Sequence, residues 1–243
     1  MTRLLIPALM LGFTATALNA ETITLNTTTL PSTQGWTYVA GGDGAARSEA
    51  SVYAIVGGEL HQDSLGIGMT QGGGNYFNRT VTLTSTQNWS LTMVARLSAF
   101  ESVLAPAYPF GLFIGGGGGL AIGIGSDNFQ YISGNGSVLQ IARPVGFDAS
   151  AYNSYRLSTS GGNLQSFSVN GVPIFTAQGF LGGNPAFISF GDGTGFANAR
   201  ADIRSLQYVS ASVPEPASWS LLITGFALTG TALRRRRPQS VTA

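Results

Sequence analysis

Cysteine and lysine are absent from this chain of 243 residues, and His61 is its single histidine. Without cysteine the chain cannot form a disulfide framework, a Cys/His zinc site or a Cys-His catalytic pair. Its twelve basic residues are therefore all arginines, and those of the middle of the chain are scattered. Because no basic stripe is available to neutralise a phosphate backbone, nucleic acid is not expected as a partner.

Charged residues make up 9% of the chain, and their distribution separates the middle from the ends. Residues 21–212 contain seven arginines and ten acidic residues, which gives this part a net charge of −3. The formal charge of +1 of the whole chain comes from its C-terminal tail. A middle part of about 190 residues is long enough to bury a sufficient core without disulfides.

Near the C-terminus, residues 217–233 carry no charged side chain and are followed by four arginines. As an α-helix this run would be about 26 Å long, at the short end of what crosses a bilayer. It offers no charged face to water, the arginines suit a cytoplasmic end, and Trp219 suits the opposite interface. We therefore predict a transmembrane helix over 217–233. The alternative is a buried C-terminal helix of a soluble domain.

The order of motifs over residues 213–237 resembles the PEP-CTERM sorting signal, a Pro-Glu-Pro-x-x-Trp motif before an apolar helix and an arginine cluster. The resemblance implies cleavage near Pro-Glu-Pro by an exosortase-type membrane protease of Gram-negative bacteria. It also implies a membrane-held stage before processing and an association with exopolysaccharide production. A tail, 238–243, extends past the cluster. The residues that carry the resemblance are Pro214, Glu215, Pro216, Trp219, Arg234, Arg235, Arg236 and Arg237.

The N-terminus predicts export. Arg3 supplies a positive start, residues 4–13 are apolar, and small residues follow at Ala15, Ala17 and Ala20. This pattern is typical of a signal peptide, and we expect signal peptidase to cleave after Ala20, with Ala17 as the alternative site. An uncleaved anchoring helix is the other interpretation. Residues 1–20 therefore predict passage through the secretion machinery across the inner membrane, to the cell envelope, cell surface or extracellular matrix.

Residues 21–212 carry many short runs rich in β-formers, separated by Gly, Asn and Ser, and no long window of helical spacing. The clearest strand is 88–97, in which apolar residues including Trp89 alternate with more polar ones. Asn170-Gly171 has the composition of a two-residue hairpin turn, and Pro173 restricts its strand to a sheet edge or an outward N–H. We predict an all-β domain of two packed antiparallel sheets or a closed barrel.

The order of these segments resembles the concanavalin A-like lectin/glucanase sandwich. The likeness is carried by strands at 155–158, 164–169 and 203–209, together with "GWTYVAGG", "GGELHQD" and "NWSLTMVARL" earlier in the chain. The resemblance implies an antiparallel jelly roll of two curved sheets, whose concave face often meets saccharide. Because this fold hosts both binding modules and enzymes, it does not decide the function.

Glu59, His61 and Asp63 form the most acid-rich constellation, on one face if "ELHQD" is a strand. The two carboxylates would then be about 13 Å apart, which is too far for the acid pair of a glycosidase without a partner from another strand. The Glu-x-Asp-x-Glu motif of the glucanases is absent from the sequence. An enzyme is therefore not expected, and a solvated strand face is the simpler interpretation of these three residues.

The sequence offers candidates for two further kinds of site, a calcium site and a saccharide platform. Asp43, Asp127 and Asp192 lie beside flexible turn residues, as calcium ligands do and as turns do without an ion. Asp192 is the candidate metal ligand, and no other cofactor is expected. Exposed aromatic side chains could form a saccharide platform, although most aromatics belong to a core. The candidates of this type are Trp36, Tyr38, Tyr76, Tyr108, Tyr131 and Tyr152.

The sequence thus predicts an exported surface or matrix protein with one β-sandwich, 21–212, and a C-terminal sorting signal. The leading hypothesis is a non-enzymatic module that binds or organises extracellular polysaccharide, with Trp36, Tyr38, Glu59, His61 and Asp63 as candidate ligand-binding residues. A glycoside hydrolase or lyase on the same sandwich is one alternative. A structural surface protein without a ligand is the other.

Overall fold

The computed structural model describes residues 20–83, 87–103, 108–115, 120–125, 128–132, 138–160, 164–178, 186–212 and 224–226. Residues 20–211 form one compact unit, and in the remainder residues 224–226 are helical. Most of the predicted signal peptide 1–20, transmembrane helix 217–233 and arginine cluster 234–237 lies outside the described residues. In the part of the chain that the structure describes, no helix has the length and apolar character required to cross a bilayer.

Strands dominate the compact unit, as the all-β prediction requires. The helical elements are short: the 3-10 turns η1 Pro31–Gln34 and η2 Gly42–Gly44, and the α-helix α1 Glu49–Val52. The strands are β1 Glu21–Leu25, β2 Thr37–Ala40, β3 Tyr53–Val56, β4 Glu59–Asp63, β5 Asn75–Val81, β6 Gln87–Ser102, β7 Gly111–Gly115, β8 Leu120–Ile124, β9 Asn128–Ile132, β10 Val138–Ala142, β11 Asn153–Ser160, β12 Leu164–Val169, β13 Val172–Gln178, β14 Ala186–Asp192 and β15 Ala197–Ser212.

These strands form two antiparallel sheets. The eight-stranded sheet has the order β13-β12-β11-β6-β15-β4-β3, and β1 pairs with β15. The seven-stranded sheet has the order β10-β9-β8-β7-β14-β5-β2. Several neighbours are consecutive in the chain, but each sheet also contains a strand paired with distant parts of the sequence: β5 and β7 flank β14, and β6 and β4 flank β15. The prediction of two packed antiparallel sheets is confirmed.

The period-two pattern of β6 explains its place in the core. Trp89, Leu91, Met93 and Ala95 are buried, while the intervening side chains are partly or fully exposed. Each fully buried side chain of this size contributes roughly 1.5–3 kcal/mol through removal from water. The predicted strand and the assignment of Trp89 to the core are confirmed, although β6 runs five residues beyond the predicted end at 97.

The hairpin that joins β12 and β13 has the predicted turn. Asn170 and Gly171 both have positive φ, 52° and 79°, as a two-residue turn of this kind requires. The Asn170 side chain also accepts a hydrogen bond from the N–H of Ser154 and donates one to Asn153, which ties the turn to β11. The strand that contains Pro173 is an edge of the eight-stranded sheet, as predicted.

Aromatic side chains fill much of the core between the two sheets. Phe77 stacks on Phe190 with ring centroids 5.3 Å apart, and Tyr53 meets Phe77 edge-on at 4.7 Å. Edge-to-face and offset pairs of this kind add to the stabilisation from burial itself. Because the inner residues of each strand serve this core, the alternate residues face outward and form the two surfaces available to a ligand.

Candidate functional site

A groove of about 320 Å³ lies on the outer face of the seven-stranded sheet. Four half-buried aromatic side chains border it, Tyr76, Tyr108, Phe113 and Phe187. We call it the aromatic groove. Its remaining lining is made mainly of small or aliphatic residues: Gly111, Ala121, Ile132, Ser189, Gly191 and Gly193, with Phe190 beneath.

Strand register brings these residues together. On β14, Ser189 lies opposite Phe113 of β7, which in turn lies opposite Ala121 of β8. Phe187, two residues before Ser189, is on the same face, and its ring stacks on Phe113 with centroids 5.1 Å apart and planes 24° from parallel. The small side chains of Ser189 and Ala121 lie beside the large rings and leave a depression between them. The groove therefore results from the alternation of small and large residues across neighbouring strands.

Tyr108 reaches the groove from the segment before β7 and covers the β8 backbone. A Cβ atom on Gly123 would lie 2.2 Å from Cγ of Tyr108, so a glycine is required for this close approach. Burial raises the pKa of the Tyr108 hydroxyl above its ordinary value, so this group is neutral near pH 7, as tyrosines ordinarily are, and can donate a hydrogen bond. The close approach to Gly123 places the Tyr108 ring against the sheet at one side of the groove.

The described lining of the aromatic groove contains no Asp, Glu, His, Lys or Arg. The polar groups it offers are two tyrosines and Ser189, whose hydroxyl donates a hydrogen bond to Asn78. Proton transfer to or from a substrate needs a side chain with a suitable pKa at the reacting atom. This surface is therefore equipped to bind through rings and hydroxyl groups, and its described residues supply no acid–base pair.

Comparison with known proteins identifies the fold. No protein-family model matches the chain, and no curated protein is significantly similar to it. Among solved structures, a lectin from Bauhinia forficata in complex with GalNAc matches with a TM-score of 0.52 and 12% identity, over 80% of this chain and 100% of that one. Peanut lectin with a 9mer peptide matches with a TM-score of 0.52 and 11% identity, over 81% and 100%. A carbohydrate esterase of the Shiga toxin-encoding bacteriophage phi24B matches with a TM-score of 0.51 and 12% identity, over 74% and 92%.

The fold is the concanavalin A-like lectin sandwich. At such low identities the likeness shows the fold alone, because sandwiches of this kind host unrelated functions. The predicted concanavalin A-like jelly roll is confirmed by these neighbours. In this chain the aromatic groove lies outside the seven-stranded sheet of the sandwich, and the predicted acid-rich strand lies in the other sheet.

Glu59, His61 and Asp63 do share one face of β4, because Leu60 and Gln62 between them are buried. Each is engaged with a side chain on the neighbouring strand β15. Glu59 accepts a hydrogen bond from Arg204 at 2.7 Å, and Asp63 accepts one from Arg200 at 2.7 Å. These contacts form a network of ion pairs on the outer face of the eight-stranded sheet, which is remote in topology from the aromatic groove.

At the centre of this network Asp202 bridges two partners. Its Oδ1 lies 2.5 Å from Nδ1 of His61, and its Oδ2 accepts a hydrogen bond from Nε of Arg96 at 2.7 Å. Partial burial acts to raise the pKa of Asp202, but the hydrogen bonds from His61 and Arg96 outweigh it and lower the pKa below its usual value. The hydrogen bonds from Arg204 and Tyr152 likewise lower the pKa of Glu59.

A glycosidase needs one carboxyl group that stays protonated near neutral pH. The pKa values of Glu59 and Asp202 are shifted the other way, by hydrogen bonds from Arg204 and Tyr152 to Glu59 and from His61 and Arg96 to Asp202. His61 and its neighbours therefore form a paired, solvated strand face. The structure brings Glu59, His61 and Asp63 together on one strand face, and the lowered pKa of Glu59 does not suit a general acid.

The predicted aromatic candidates divide among several places. Trp36 is 3% exposed and meets Phe190 edge-on in the core, so its ring has no face open to a ligand. Tyr38 packs against Tyr53 and accepts a hydrogen bond from Asn75 at 2.6 Å, which makes it a partly buried core residue. The structure therefore does not place Trp36 and Tyr38 at a ligand-binding surface, because both rings pack in or against the core.

The remaining tyrosine candidates lie in three different surroundings. Tyr131 packs against Phe175 at the edge of the core, with ring centroids 4.7 Å apart and planes tilted by 50°. Tyr152 lies among the ion pairs, where the Arg204 guanidinium carbon is 3.4 Å from its ring centroid. Tyr76 joins Tyr108 in the aromatic groove.

Two of the three calcium candidates, Asp192 and Asp43, are occupied by hydrogen bonds. Asp192 is 1% exposed and accepts hydrogen bonds from the Ser64 hydroxyl and the Thr194 N–H, and burial raises its pKa well above the usual range. Asp43 caps a loop through the N–H groups of Thr70 and Gln71, which lower its pKa. Asp127 lies outside the described residues. Within the described segments, no group of three His, Cys, Asp or Glu side chains could hold a metal ion.

Sequence reasoning missed Phe113 and Phe187, which contribute the stacked pair of the groove. A signal for both was present. In "GLFIG" the core residues Leu112 and Ile114 flank Phe113, so a strand with this phase must point an aromatic ring outward. An antiparallel sheet with one solvated face normally alternates apolar and polar residues, so large apolar side chains at outward positions indicate a contact surface.

Proposed function

We propose that this protein is a non-catalytic binding module for extracellular polysaccharide, and that the aromatic groove is its binding site. The observation that carries the proposal is the placement of Tyr76, Tyr108, Phe113 and Phe187 around a strip of small residues on an outer sheet face. Ligand sites are concave, mostly apolar, and carry a few polar groups that fix orientation. Aromatic rings suit the apolar faces of sugar rings, and the tyrosine and serine hydroxyl groups suit their hydroxyl groups.

The fold supports this proposal without deciding it. The Bauhinia forficata lectin with the same sandwich was solved with GalNAc bound, so a concanavalin A-like scaffold is compatible with saccharide recognition. The volume of about 320 Å³ is at the lower end of the range for small-molecule sites. A shallow site of this size fits one or two sugar units of a longer chain that continues beyond the groove.

The test compares the wild-type protein with Phe187→Ala and Phe113→Ala in co-sedimentation and calorimetric titration with the exopolysaccharide of the source organism. Loss of one stacking ring should weaken binding by about tenfold, equivalent to about 1.4 kcal/mol. Arg156→Ala is the matched control, because Arg156 is exposed on the other sheet. New reducing ends in the same tube would indicate a glycoside hydrolase. If wild-type protein and polysaccharide do not associate, the groove is a ligand-free surface.

We further propose that the protein reaches the cell surface or matrix through its two terminal segments. The support is the sequence itself: a signal-peptide pattern over 1–20 and the PEP-CTERM-like order over 213–237. A binding module for extracellular polysaccharide would need to be exported, so the two proposals agree with each other. In this scheme the apolar run 217–233 holds the chain in the membrane until an exosortase-type protease cleaves near Pro214.

Mass spectrometry of the native protein tests the sorting proposal. Protein recovered from surface material should begin near Glu21 and end close to the Pro-Glu-Pro motif, because both terminal segments have been removed. Recovery of mature protein that retains the arginines at 234–237 would contradict processing at this motif. Deletion of residues 213–243 should leave the secreted protein unattached, which separates sorting from export.

A further inference from the structure

Charge is distributed very unevenly between the two outer faces of the sandwich. The strands of the seven-stranded sheet, β2, β5, β7, β8, β9, β10 and β14, carry Arg79 and Asp192 as their charged residues. Both belong to the inner phase of their strands. Arg79 alternates with the outward Asn78 and Thr80 and donates a hydrogen bond to the carbonyl of Gln34.

Asp192 is buried and alternates with the outward Gly191. By strand phase, therefore, the described outer face of this sheet is free of charge from edge to edge. Its polar groups are amides and hydroxyl groups, such as Asn78, Gln140 and Ser189. The aromatic groove lies within this uncharged face.

The opposite face of the sandwich has the contrary character. Its outward positions carry seven charged side chains across four neighbouring strands, most of them joined in ion pairs. The charged residues of this face are Glu59, Asp63, Arg96, Arg156, Arg200, Asp202 and Arg204. The scarcity of charge in the chain as a whole therefore does not explain the uncharged face, because charges are present and lie on the other sheet.

We infer that the aromatic groove selects uncharged polysaccharide and rejects polymers that carry uronate or sulfate groups. The inference rests on the proposed binding function. A carboxylate or sulfate entering the groove would lose part of its hydration shell, and the described residues there offer no cation to replace it. A neutral sugar loses hydrogen bonds to water that the hydroxyl and amide groups of the face can restore.

Long-range electrostatics act in the same direction. Residues 21–212 carry a net charge of −3, so an anionic polymer approaching the domain meets weak repulsion. Protein sites for acidic chains use arginine because its planar guanidinium binds carboxylate through two parallel hydrogen bonds. In the described chain, four of the arginines are on the other outer face, and three of those already serve Asp202, Asp63 and Glu59.

The test separates the exopolysaccharide of the source organism by anion exchange into an unretained neutral fraction and a retained acidic fraction. Full-length protein should bind the neutral fraction, with an affinity that changes less than about twofold between about 20 mM and about 300 mM salt. Phe187→Ala should weaken that binding. Preferential binding of the acidic fraction that is lost in Phe187→Ala would overturn the inference while leaving the proposed site intact.

A substitution that adds a positive charge to the aromatic groove provides a second test of the inference. Ala121 lines the groove and is partly exposed, so Ala121→Arg places a cation among the rings. This variant should acquire salt-sensitive binding of the acidic fraction, by about tenfold or more, whereas the uncharged Ala121→Gln should not. If Ala121→Arg behaves like Ala121→Gln, charge in the groove does not govern selection. Failure of the wild-type protein to bind either fraction would instead contradict the proposed function.

Discussion

Gly123 is the residue on which the position of Tyr108 depends. In Gly123→Ala the new methyl group would meet the Tyr108 ring at 2.2 Å, so the ring must move away from the sheet. We expect polysaccharide affinity to fall by about tenfold, because one border of the aromatic groove is displaced. Calorimetric titration measures this. A Cβ atom on Gly123 would also lie 2.3 Å from Cβ of Tyr108, so the control background is Tyr108→Gly, which lacks both that atom and the ring. In this background the same substitution should have no further effect, since residues in contact show non-additive effects.

Asp192 predicts how stability depends on pH. Burial raises its pKa in the folded state, so the folded protein keeps this proton at pH values where the unfolded chain, with a pKa near 3.9, has released it. The contribution of Asp192 to stability is therefore greatest below that value. It is lost as pH rises from the unfolded pKa through the folded pKa.

The substitution Asp192→Asn should remove the loss of stability that accompanies ionisation of this carboxyl group. The amide can still accept the hydrogen bond from Thr194 and can donate to the Ser64 hydroxyl oxygen. Urea denaturation at a series of pH values should show a flatter profile for the variant and a higher free energy of unfolding than wild type above the folded pKa. Identical pH profiles of the two proteins would show that the carboxyl group is not the source.

Single residues also mark the limit of sequence-based prediction. Trp89 could be placed in the core because its strand alternates cleanly, whereas Trp36 stands in a stretch without alternation, and the sequence could not assign its ring to the core or to the surface. Tyr76 and Tyr108 were among six aromatic candidates that sequence could not separate. The face on which each ring lies depends on the phase of its strand, and short strands bounded by glycine define that phase poorly.

At the scale of elements, the β12–β13 hairpin gives a stability prediction. Gly171 has φ of 79°, and a Cβ added there would have no atom within 4 Å, so Gly171→Ala introduces backbone strain without a steric clash. We expect a loss of about 1–2 kcal/mol in the free energy of unfolding, measured by urea denaturation. Gly193→Ala is the control, because its site is also open but its φ is not in the left-handed region. Equal losses in the two variants would contradict the assignment to backbone strain.

Strand limits show where the sequence pattern ends and tertiary pairing takes over. The alternation that predicts a strand stops at 97, but β6 continues to Ser102. The end of β6 is held beside the start of β15, since the N–H of Val103 donates to the carbonyl of Phe196 at 3.2 Å. A partner nearly one hundred positions away cannot be inferred from local composition. The strand "ELHQD", by contrast, was predicted correctly because its alternation is complete within five residues.

At the scale of the whole molecule, composition and strand patterning were sufficient to predict an all-β domain of two packed sheets or a closed barrel, and the order of the segments, through its resemblance to the concanavalin A-like family, favoured the sandwich. They were not sufficient to predict which outer face would carry the aromatic groove. This groove is assembled from β5, β7, β8, β9 and β14, and the register among these strands is set by long-range pairing. From the sequence alone, the acid-rich strand β4 was a stronger candidate for a binding site than Phe113 and Phe187, because the ion pairs between β4 and β15 could not be predicted.

The sandwich as a unit leads to a folding prediction. Every residue of the buried hydrophobic core, from Ile23 to Tyr208, lies within the compact unit 20–211. A fragment of residues 20–211 should therefore fold and unfold in one cooperative transition. Scanning calorimetry should give equal calorimetric and van't Hoff enthalpies of unfolding. Two separated transitions would show that the sheets do not behave as one cooperative structure.

The position of β15 has a consequence for how the chain acquires its structure during synthesis. It is the last strand of the sandwich to leave the ribosome, yet it lies between β6 and β4 and also pairs with β1, where Glu21 meets Ser210 across 189 positions. Until β15 has been synthesised, β6 and β4 have no strand between them, and the eight-stranded sheet is divided in two. A domain in which such distant strands pair has a high contact order, and we expect it to fold slowly once its synthesis is complete. Its early strands then remain accessible to chaperones until β15 has been synthesised.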